Sequence, residues 1–170
     1  FNGGVQSWKA AGGEVFKDVN VPSKSFGELV ESKRHTPSLS AQEVKALIDN
    51  EEDVVVLDVR RFDEYNTMSI PTGISVPGAE LVLRVAEIAP NPKTKIIVNC
   101  AGRTRSILGT QSLINAGIPN EVNALRNGTI GWTLAGQDLE KGQSRKFNEV
   151  SAETAHEAQM KSRAVADKAN

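Results

Sequence analysis

The sequence predicts an α/β protein with a mostly parallel β-sheet. Two short runs of β-branched apolar residues, Val54–Val59 (broken only by Asp58) and Ile96–Val98, are typical of strands that are covered on both faces. Helical patterns of apolar residues flank these runs at residues 41–50, 79–88 and from about residue 104 onward. Because strands that alternate with helices build parallel sheets, this alternation supports the fold class.

The composition is that of one ordinary globular domain with some extra length. The chain has 170 residues, 39% hydrophobic and 24% charged, and its 20 Lys and Arg nearly balance its 21 Asp and Glu. This balance gives no reason to expect a nucleic-acid partner, and no apolar run approaches the roughly 20 residues that span a bilayer, so we expect no membrane partner. One cysteine cannot form an internal disulfide, and we therefore expect a cytoplasmic protein.

A short internal repeat links the amino terminus to a segment further along the chain. Residues 4–12 align with residues 128–136 through a shared Gly-x-x-x-Trp-x-x-x-Gly pattern. The pattern is short enough to arise by chance, but the shared spacing continues over a dozen positions. Since only one cysteine lies between the copies, we interpret residues 1–16 as the tail of a preceding similar domain.

The next segment has the composition of a linker between domains. Residues 17–36 contain Pro22, Gly27 and mixed charges, and one helical turn is predicted at residues 28–32. His35 is expected to be an exposed linker residue, because no neighbour has metal-ligand spacing. We predict no metal site in the chain.

The first long helix of the domain has a clear start signal. Ser40 and Glu43 form the pattern of a capping box, in which each side chain accepts a hydrogen bond from the other residue's backbone N–H. Leu39 and Val44 have the spacing of the hydrophobic staple that often accompanies it. These signals predict the helix over residues 41–50.

Short elements are predicted on both sides of the strand at Ile96–Val98. Before it we expect a helix at residues 62–66, a strand at 74–76 and an amphipathic helix at 79–88. After the helix that is predicted from about residue 104 we expect a strand at 122–125. Trp132 is expected to be a core anchor. A solvated helix that leads toward another domain is predicted at residues 155–169. We expect no functional role for His156, which lies on this helix.

A single cysteine directly follows the second buried strand. Cys100 begins a loop that contains Gly102, Arg103 and Arg105, and a helical pattern starts at about Thr104. Loop N–H groups can form an anion-binding nest, and the helix dipole adds partial positive charge. A lone cysteine is usually a small buried hydrophobe. Here the two arginines and the strand–loop–helix context favour a reactive thiolate.

Two charged residues follow the first buried strand at the same sheet edge. Asp58 and Arg60 lie where ligands collect in open α/β sheets, outside the carboxyl ends of the strands. They could be a surface ion pair of little energetic value. We favour a role in holding the loop that carries Cys100.

The ordered combination of motifs resembles the rhodanese (thiosulfate sulfurtransferase-like) family. The Cys100–Ser106 run is similar to its active-site loop, residues 54–60 and 64–65 to an early strand with its Asp-Val-Arg…Glu-Tyr signature, and Asn127-Gly128 with Trp132 to its closing element. The likeness extends from residue 39 to residue 139. It implies a mostly parallel five-stranded sheet with helices on both faces, in a domain of residues 37–146 followed by a helical linker at 147–170.

This resemblance implies a sulfurtransferase. A sulfane sulfur would pass from thiosulfate or a similar small anionic donor, through a persulfide on Cys100, to cyanide or a thiol, with no cofactor. The donor would be bound by Ala101, Gly102, Arg103, Thr104, Arg105 and Ser106, with Asp58 and Arg60 supporting the loop. Neighbouring rhodanese-like domains are the expected partners in the parent chain.

Two other functions fit parts of the pattern. Phosphatases and arsenate reductases share the Cys-loop-helix arrangement, but their essential arginine follows after five residues, whereas Arg105 follows Cys100 after four. A non-catalytic rhodanese-like binding or regulatory module would typically lose the cysteine. The chain departs from the family at Ser69, where a Gly-His-Ile sequence is common, so a supporting histidine is missing.

Overall fold

A five-stranded sheet forms the centre of the chain in the computed structural model, which describes residues 2–13 and 21–169. The strands are β1 (Ser38–Leu39), β2 (Val54–Asp58), β3 (Ile74–Ser75), β4 (Lys95–Asn99) and β5 (Val122–Leu125). Their spatial order is β1-β5-β4-β2-β3, and all four pairings are parallel. The five-stranded parallel sheet is confirmed.

Helices precede, connect and follow the strands along the chain. They are α1 (Gly4–Ala10), α2 (Val21–Arg34), α3 (Ala41–Asp49), α4 (Phe62–Thr67), α5 (Leu81–Ile88), α6 (Thr104–Asn115), α7 (Gly128–Leu134) and α8 (Ala152–Ala169), with a 3₁₀ turn at Gly78–Glu80. Among the described residues, no helix is both long enough and apolar enough to cross a bilayer.

The core is divided by the sheet into two hydrophobic clusters. Successive residues of β4 alternate between them. Ile96 and Val98 pack with α5 and α6 in the first cluster, whereas Ile97 packs with α3 and α7 in the second cluster. This alternation follows from the period of two in a strand. Both faces of the sheet are therefore covered, which explains why its central strands are apolar runs.

Two sequence-predicted anchors are confirmed. The capping box is present at the start of α3: the backbone N–H of Ser40 donates to Glu43 Oε2 at 2.7 Å, and the N–H of Glu43 donates to Ser40 Oγ at 3.2 Å. Trp132 is fully buried, and its indole Nε1–H donates to the carbonyl of Asp138 at 2.8 Å. The capping box fixes the start of α3, and the indole hydrogen bond joins Trp132 to the chain that follows α7.

The amino-terminal segment contains more structure than predicted. In place of one turn at residues 28–32, α2 has 14 residues and packs along α6. Gly27 suggested a flexible linker, but it is buried at a close contact with Thr104. The predicted boundary between residues 16 and 17 lies outside the described residues, and the division into domains stays a prediction.

Three further elements differ from the sequence prediction. β1 has only two residues, and α7 contains two glycines, so periodicity does not reveal either of them. α8 begins three residues before the predicted start, and it packs on α5 with Ala158 buried. This helix is therefore solvated on part of its surface rather than all round.

Candidate active site

The parallel sheet brings the two predicted site segments together. In the register of β2 and β4, Asp58 pairs with Asn99, so the carboxyl ends of these central strands lie side by side. Cys100 follows Asn99 directly, and Arg60 is two residues beyond Asp58. The topology thus confirms the sequence inference that these groups share one sheet edge.

Cys100 lies at the boundary between the core and a cleft. Its surface is 2% exposed, and one side of the residue packs in the first hydrophobic cluster. It also lines a cleft of about 570 Å³ together with residues 101–105, Ile130, and Ser23 and Lys24 of α2. Cys100 therefore packs against the core and borders a space large enough for a small anion.

The loop after Cys100 offers a set of backbone donors. Within the two described ranges, no N–H group of residues 101–106 donates a hydrogen bond to a protein acceptor. The first N–H of this region with a partner is that of Ile107, which donates to the Arg103 carbonyl at 3.0 Å. These donors lie at the amino end of the 12-residue helix α6, where the helix dipole favours negative charge.

Ser106 supports the sulfur atom from the first turn of α6. The Cys100 Sγ–H donates to Ser106 Oγ at 3.4 Å, and the Ser106 hydroxyl donates to the Arg103 carbonyl at 2.8 Å. Ser106 is itself buried. The hydroxyl thus connects the thiol to the loop that surrounds it.

Both loop arginines form ion pairs at the rim of the cleft. Arg103 Nε lies 2.9 Å from Glu28 Oε1, and its Nη2 also pairs with Glu31. Arg105 makes two parallel hydrogen bonds to Glu64, at 2.8 and 2.9 Å. These glutamates were missed by sequence reasoning, although Glu64 belongs to the Glu-Tyr signature. The pairs orient both guanidinium groups and keep them beside the cleft.

The Glu64–Arg105 pair shifts the titration of both partners. The hydrogen bonds from Arg105 lower the pKa of Glu64 below its ordinary value of 4.5. The pKa of Arg105 is raised, chiefly by its hydrogen bonds to Glu64 and to a smaller extent by the electrostatic effect of Cys100. Arg105 therefore stays charged beside the cleft that Cys100 lines.

The pH dependence of stability provides a test of this pair. Since the pKa of Glu64 is lowered on folding, its contribution to stability is full above pH 4.5 and is lost as the pH falls through the folded pKa. We expect the difference in melting temperature between wild type and Glu64→Gln to be constant above that pH and to shrink below it. Glu149→Gln, at an exposed position with no ion pair in the described part of the chain, should show no such trend.

Asp58 and Arg60 form a buried ion pair. Arg60 Nε donates to Asp58 Oδ1 at 2.9 Å and Nη2 donates to Oδ2 at 2.7 Å, while only 1% and 4% of the two residues are exposed. Arg60 Nη2 also donates to the carbonyl of Met68 at 2.6 Å. The pair is thus not a surface ion pair. Because it is buried, removal of either partner would leave the charge of the other buried and unpaired.

A hydrogen-bond chain connects this pair to Cys100. Asn99 Nδ2 donates to Asp58 Oδ2 at 2.9 Å and to Thr129 Oγ1 at 3.1 Å. The Thr129 hydroxyl in turn donates to the Cys100 carbonyl at 3.2 Å. Asp58 is therefore linked to the backbone of Cys100 through two residues that sequence reasoning missed, and its predicted role in holding the loop stays a prediction. Their types carry no signal until the fold brings them together.

The start of α7 packs directly on the backbone of the loop that begins at Cys100. The N–H groups of Thr129 and Ile130 donate to the carbonyls of Cys100 and Ala101 at 2.9 and 3.0 Å. Gly128 has a φ of +54°, and a Cβ atom there would lie 2.2 Å from the Cys100 carbonyl oxygen. A residue without a side chain is therefore required at this contact.

Substitution of Gly128 by alanine tests this packing. We expect Gly128→Ala to lower the free energy of unfolding by about 2 kcal/mol, because the new methyl group must displace the loop and the backbone is strained. Gly102→Ala is the matched control for stability, since a Cβ at Gly102 meets no atom within 4 Å. Urea unfolding of both variants makes the comparison, and equal stabilities would contradict the packing.

Ser69 occupies the place of the missing family histidine. It is fully buried, and its backbone pairs with Glu140 at 2.8 and 2.9 Å. Its hydroxyl oxygen has no hydrogen-bond partner in the part of the chain that the structure describes. Within the same residues, no three His, Cys, Asp or Glu side chains cluster as ligands of a metal ion would.

Comparisons with known proteins show the family to which the chain is similar. Residues 40–135 match the model of the Rhodanese-like domain family. A crystal structure of thiosulfate sulfurtransferase from Pseudomonas aeruginosa is similar with a TM-score of 0.88 and 70% sequence identity, over 99% of this chain and 32% of that chain.

Two curated proteins are more distant relatives. The putative sulfur carrier protein YrkF of Bacillus subtilis is 28% identical over 103 residues, which are 61% of this chain and 54% of the relative. The HTH-type transcriptional regulator Rv0324 of Mycobacterium tuberculosis is 32% identical over 90 residues, 53% of this chain and 39% of the relative. The match thus spans about half or less of each curated relative. Because the family model covers more than half of the sequence, the chain belongs to the rhodanese-like domain family.

Proposed function

We propose that this chain is a sulfurtransferase in which Cys100 carries a sulfane sulfur from thiosulfate, or a similar anion, to cyanide or a thiol. The observation that carries the proposal is the position of Cys100 in a cleft lined by Lys24, Arg103 and Arg105, at the amino end of α6. The similarity to a Pseudomonas aeruginosa thiosulfate sulfurtransferase over nearly the whole chain supports it.

In the first step the Cys100 thiolate attacks the outer sulfur of thiosulfate. A new S–S bond forms to Cys100, the S–S bond of thiosulfate breaks, and sulfite leaves with the bonding electron pair. The enzyme retains a persulfide that carries one negative charge. Charge is conserved, because a thiolate and a thiosulfate dianion become a persulfide anion and a sulfite dianion.

The loop would stabilise the charges that move in this step. The N–H groups of residues 101–106, for which residues 2–13 and 21–169 provide no acceptor, are donors for the persulfide or the sulfonate oxygens. The Ser106 hydroxyl, 3.4 Å from the sulfur, can turn to donate to it once the thiol proton is lost. Arg103 and Arg105 keep their positive charge in their ion pairs and would offset the charge on the leaving sulfite.

In the second step a nucleophile removes the outer sulfur. Cyanide attacks the terminal sulfur of the persulfide, thiocyanate forms, and the electron pair of the S–S bond returns to Cys100 as thiolate. The donor product leaves before the acceptor reacts, so the kinetics are of the ping-pong type.

Steady-state kinetics test the proposal. Thiocyanate formation, measured while thiosulfate and cyanide are varied together, should give parallel lines in double-reciprocal plots. Intersecting lines would contradict the persulfide intermediate. The absence of thiocyanate from folded protein would overturn the proposal and favour a binding or regulatory module.

A further inference from the structure

The helix α2 is held against α6 by a close contact that leaves little space for a side chain. Gly27 is buried, and a Cβ atom at this position would lie 3.1 Å from Thr104 Cγ2 and 3.3 Å from Thr104 Cα. Thr104 is the first residue of α6. The two helices therefore approach each other at the point where the catalytic loop ends.

A group of ion pairs fixes the same contact on its exposed side. Arg103 of the loop binds Glu28 and Glu31, which are three residues apart and lie on one face of α2. Steric fit and charge thus determine the position of this helix over the loop.

Residues at the start of α2 form one wall of the cleft. Ser23 and Lys24 line it together with Cys100, and the charged residues among its described lining are Lys24, Arg103 and Arg105. No carboxylate is among the described residues that line it. Two of these cations come from the loop, whereas Lys24 comes from a segment that the family model, residues 40–135, does not include.

We propose that Lys24 binds the oxidised, anionic end of the sulfur donor, and that α2 is therefore part of the substrate site. This inference rests on the proposed function and deepens it. A third positive charge in the cleft favours a dianion such as thiosulfate over a monoanion such as methanethiosulfonate, because the attraction is proportional to the charge of the donor. Lys24 selects donors and takes no part in the second step.

The test compares Lys24→Gln with Lys33→Gln, which removes the same charge from the same helix at an exposed position that does not line the cleft. For Lys24→Gln we expect the KM for thiosulfate to rise about five- to tenfold, with kcat within about twofold of wild type. The KM for methanethiosulfonate should rise less, and Lys24→Arg should restore most of the affinity. Circular dichroism checks that α2 is retained.

The outcomes separate this inference from the proposed function. If wild type forms no thiocyanate, the proposed function is wrong, and this inference, which rests on it, is wrong as well. If wild type turns over and Lys24→Gln has the same KM as Lys33→Gln, only the role of Lys24 is wrong. An equal rise in KM for both donors would contradict selection by charge.

A second inference comes from α1, whose backbone repeats that of α7. Four hydrogen bonds from a backbone N–H to a carbonyl recur with an offset of 124 residues. In the first copy they run from Ser7 to Gly3, from Ala11 to Ser7, from Gly12 to Lys9 and from Gly13 to Trp8. In the second copy they run from Gly131 to Asn127, from Ala135 to Gly131, from Gly136 to Thr133 and from Gln137 to Trp132. The left-handed residues recur as well, at positions 3, 4 and 12 and at 127, 128 and 136.

The two copies also satisfy the same steric restriction. In α7 a Cβ atom on Gly131 would lie 2.7 Å from the Cβ of Asn127, and in α1 a Cβ atom on Gly3 would lie 1.8 Å from Ser7 Oγ. Each pair therefore has room for one side chain. The copies place that side chain at opposite members of the pair, which explains why their sequences differ while their backbones agree.

The apolar residues of the two copies differ in burial. Trp132 is fully buried in the second core cluster, whereas Trp8 at the matching position is 49% exposed and no residue of α1 is buried. We infer that α1 is the closing element of another rhodanese-like domain, whose core buries Trp8 as the core of this domain buries Trp132. The length of the Pseudomonas chain, of which this chain covers 32%, is compatible with such a domain.

A graft tests the equivalence of the two elements. Residues 3–13 replace residues 127–137 in the full chain, and thermal unfolding is followed by near-ultraviolet circular dichroism. We expect cooperative unfolding with a melting temperature lowered by less than about 10 °C. The same graft with Trp8→Ala, and a scrambled graft of the same composition, should both lose cooperative unfolding. A graft no more stable than the scrambled one would overturn the inference.

Discussion

Replacement of Cys100 by serine is expected to lower the rate of thiocyanate formation by at least about a thousandfold. Serine has the shape to occupy the site, but its oxygen cannot form a persulfide and is a weak nucleophile without an adjacent base. The described residues around Cys100 include no histidine, so the site offers no such base. The measurement is the initial rate at saturating thiosulfate and cyanide.

The fold should tolerate this change. The serine hydroxyl can make the hydrogen bond to Ser106 that the thiol makes at 3.4 Å, and the remaining contacts of the position are with the core. Cys100→Ala serves as a second variant without any polar group. If either variant kept more than about one hundredth of the wild-type rate, nucleophilic catalysis by Cys100 would be wrong.

Replacement of Asp58 by asparagine is expected to lower the free energy of unfolding by about 3–5 kcal/mol. The change leaves the buried charge of Arg60 without its carboxylate, at a position where 4% of the residue is exposed. Asparagine also keeps only one of the two carboxylate oxygens that accept hydrogen bonds from Arg60 and Asn99, so the hydrogen-bond chain to the Cys100 carbonyl is weakened. The rate of sulfur transfer should therefore fall even at temperatures where the variant is folded.

An exposed ion pair provides the matched control. Asp49→Asn removes the partner of Lys45, and 54% of the Asp49 side chain is exposed. Since exposed pairs contribute little, this variant should stay within about 1 kcal/mol of wild type. Urea unfolding of both variants measures the difference. A similar small effect for Asp58→Asn would show that the Asp58–Arg60 pair does not hold the site.

Sequence reasoning could predict the features that depend on local sequence patterns. The β-branched runs of β2 and β4, the capping box at Ser40 and the loop that begins at Cys100 each depend on a few neighbouring residues. Their order along the chain was sufficient to place Asp58 at the same edge as Cys100. The parallel register of the central strands then brings the two together.

The remaining features depend on contacts between distant segments. Asn99 and Thr129 are 30 residues apart in sequence, and neither residue type indicates a link between Asp58 and the Cys100 carbonyl. Gly27 is typical of a flexible linker until the close approach of Thr104 explains it. The loop arginines are likewise predictable as residues, whereas their orientation depends on glutamates from α2 and α4.

The most direct test of the account is the intact mass of the protein after incubation with thiosulfate. Sulfur transfer to Cys100 predicts a gain of about 32 Da, which cyanide removes with release of thiocyanate. The gain should be absent in Cys100→Ser. Folded wild-type protein that gains no mass, or a gain that persists in Cys100→Ser, would contradict a sulfur carried on Cys100.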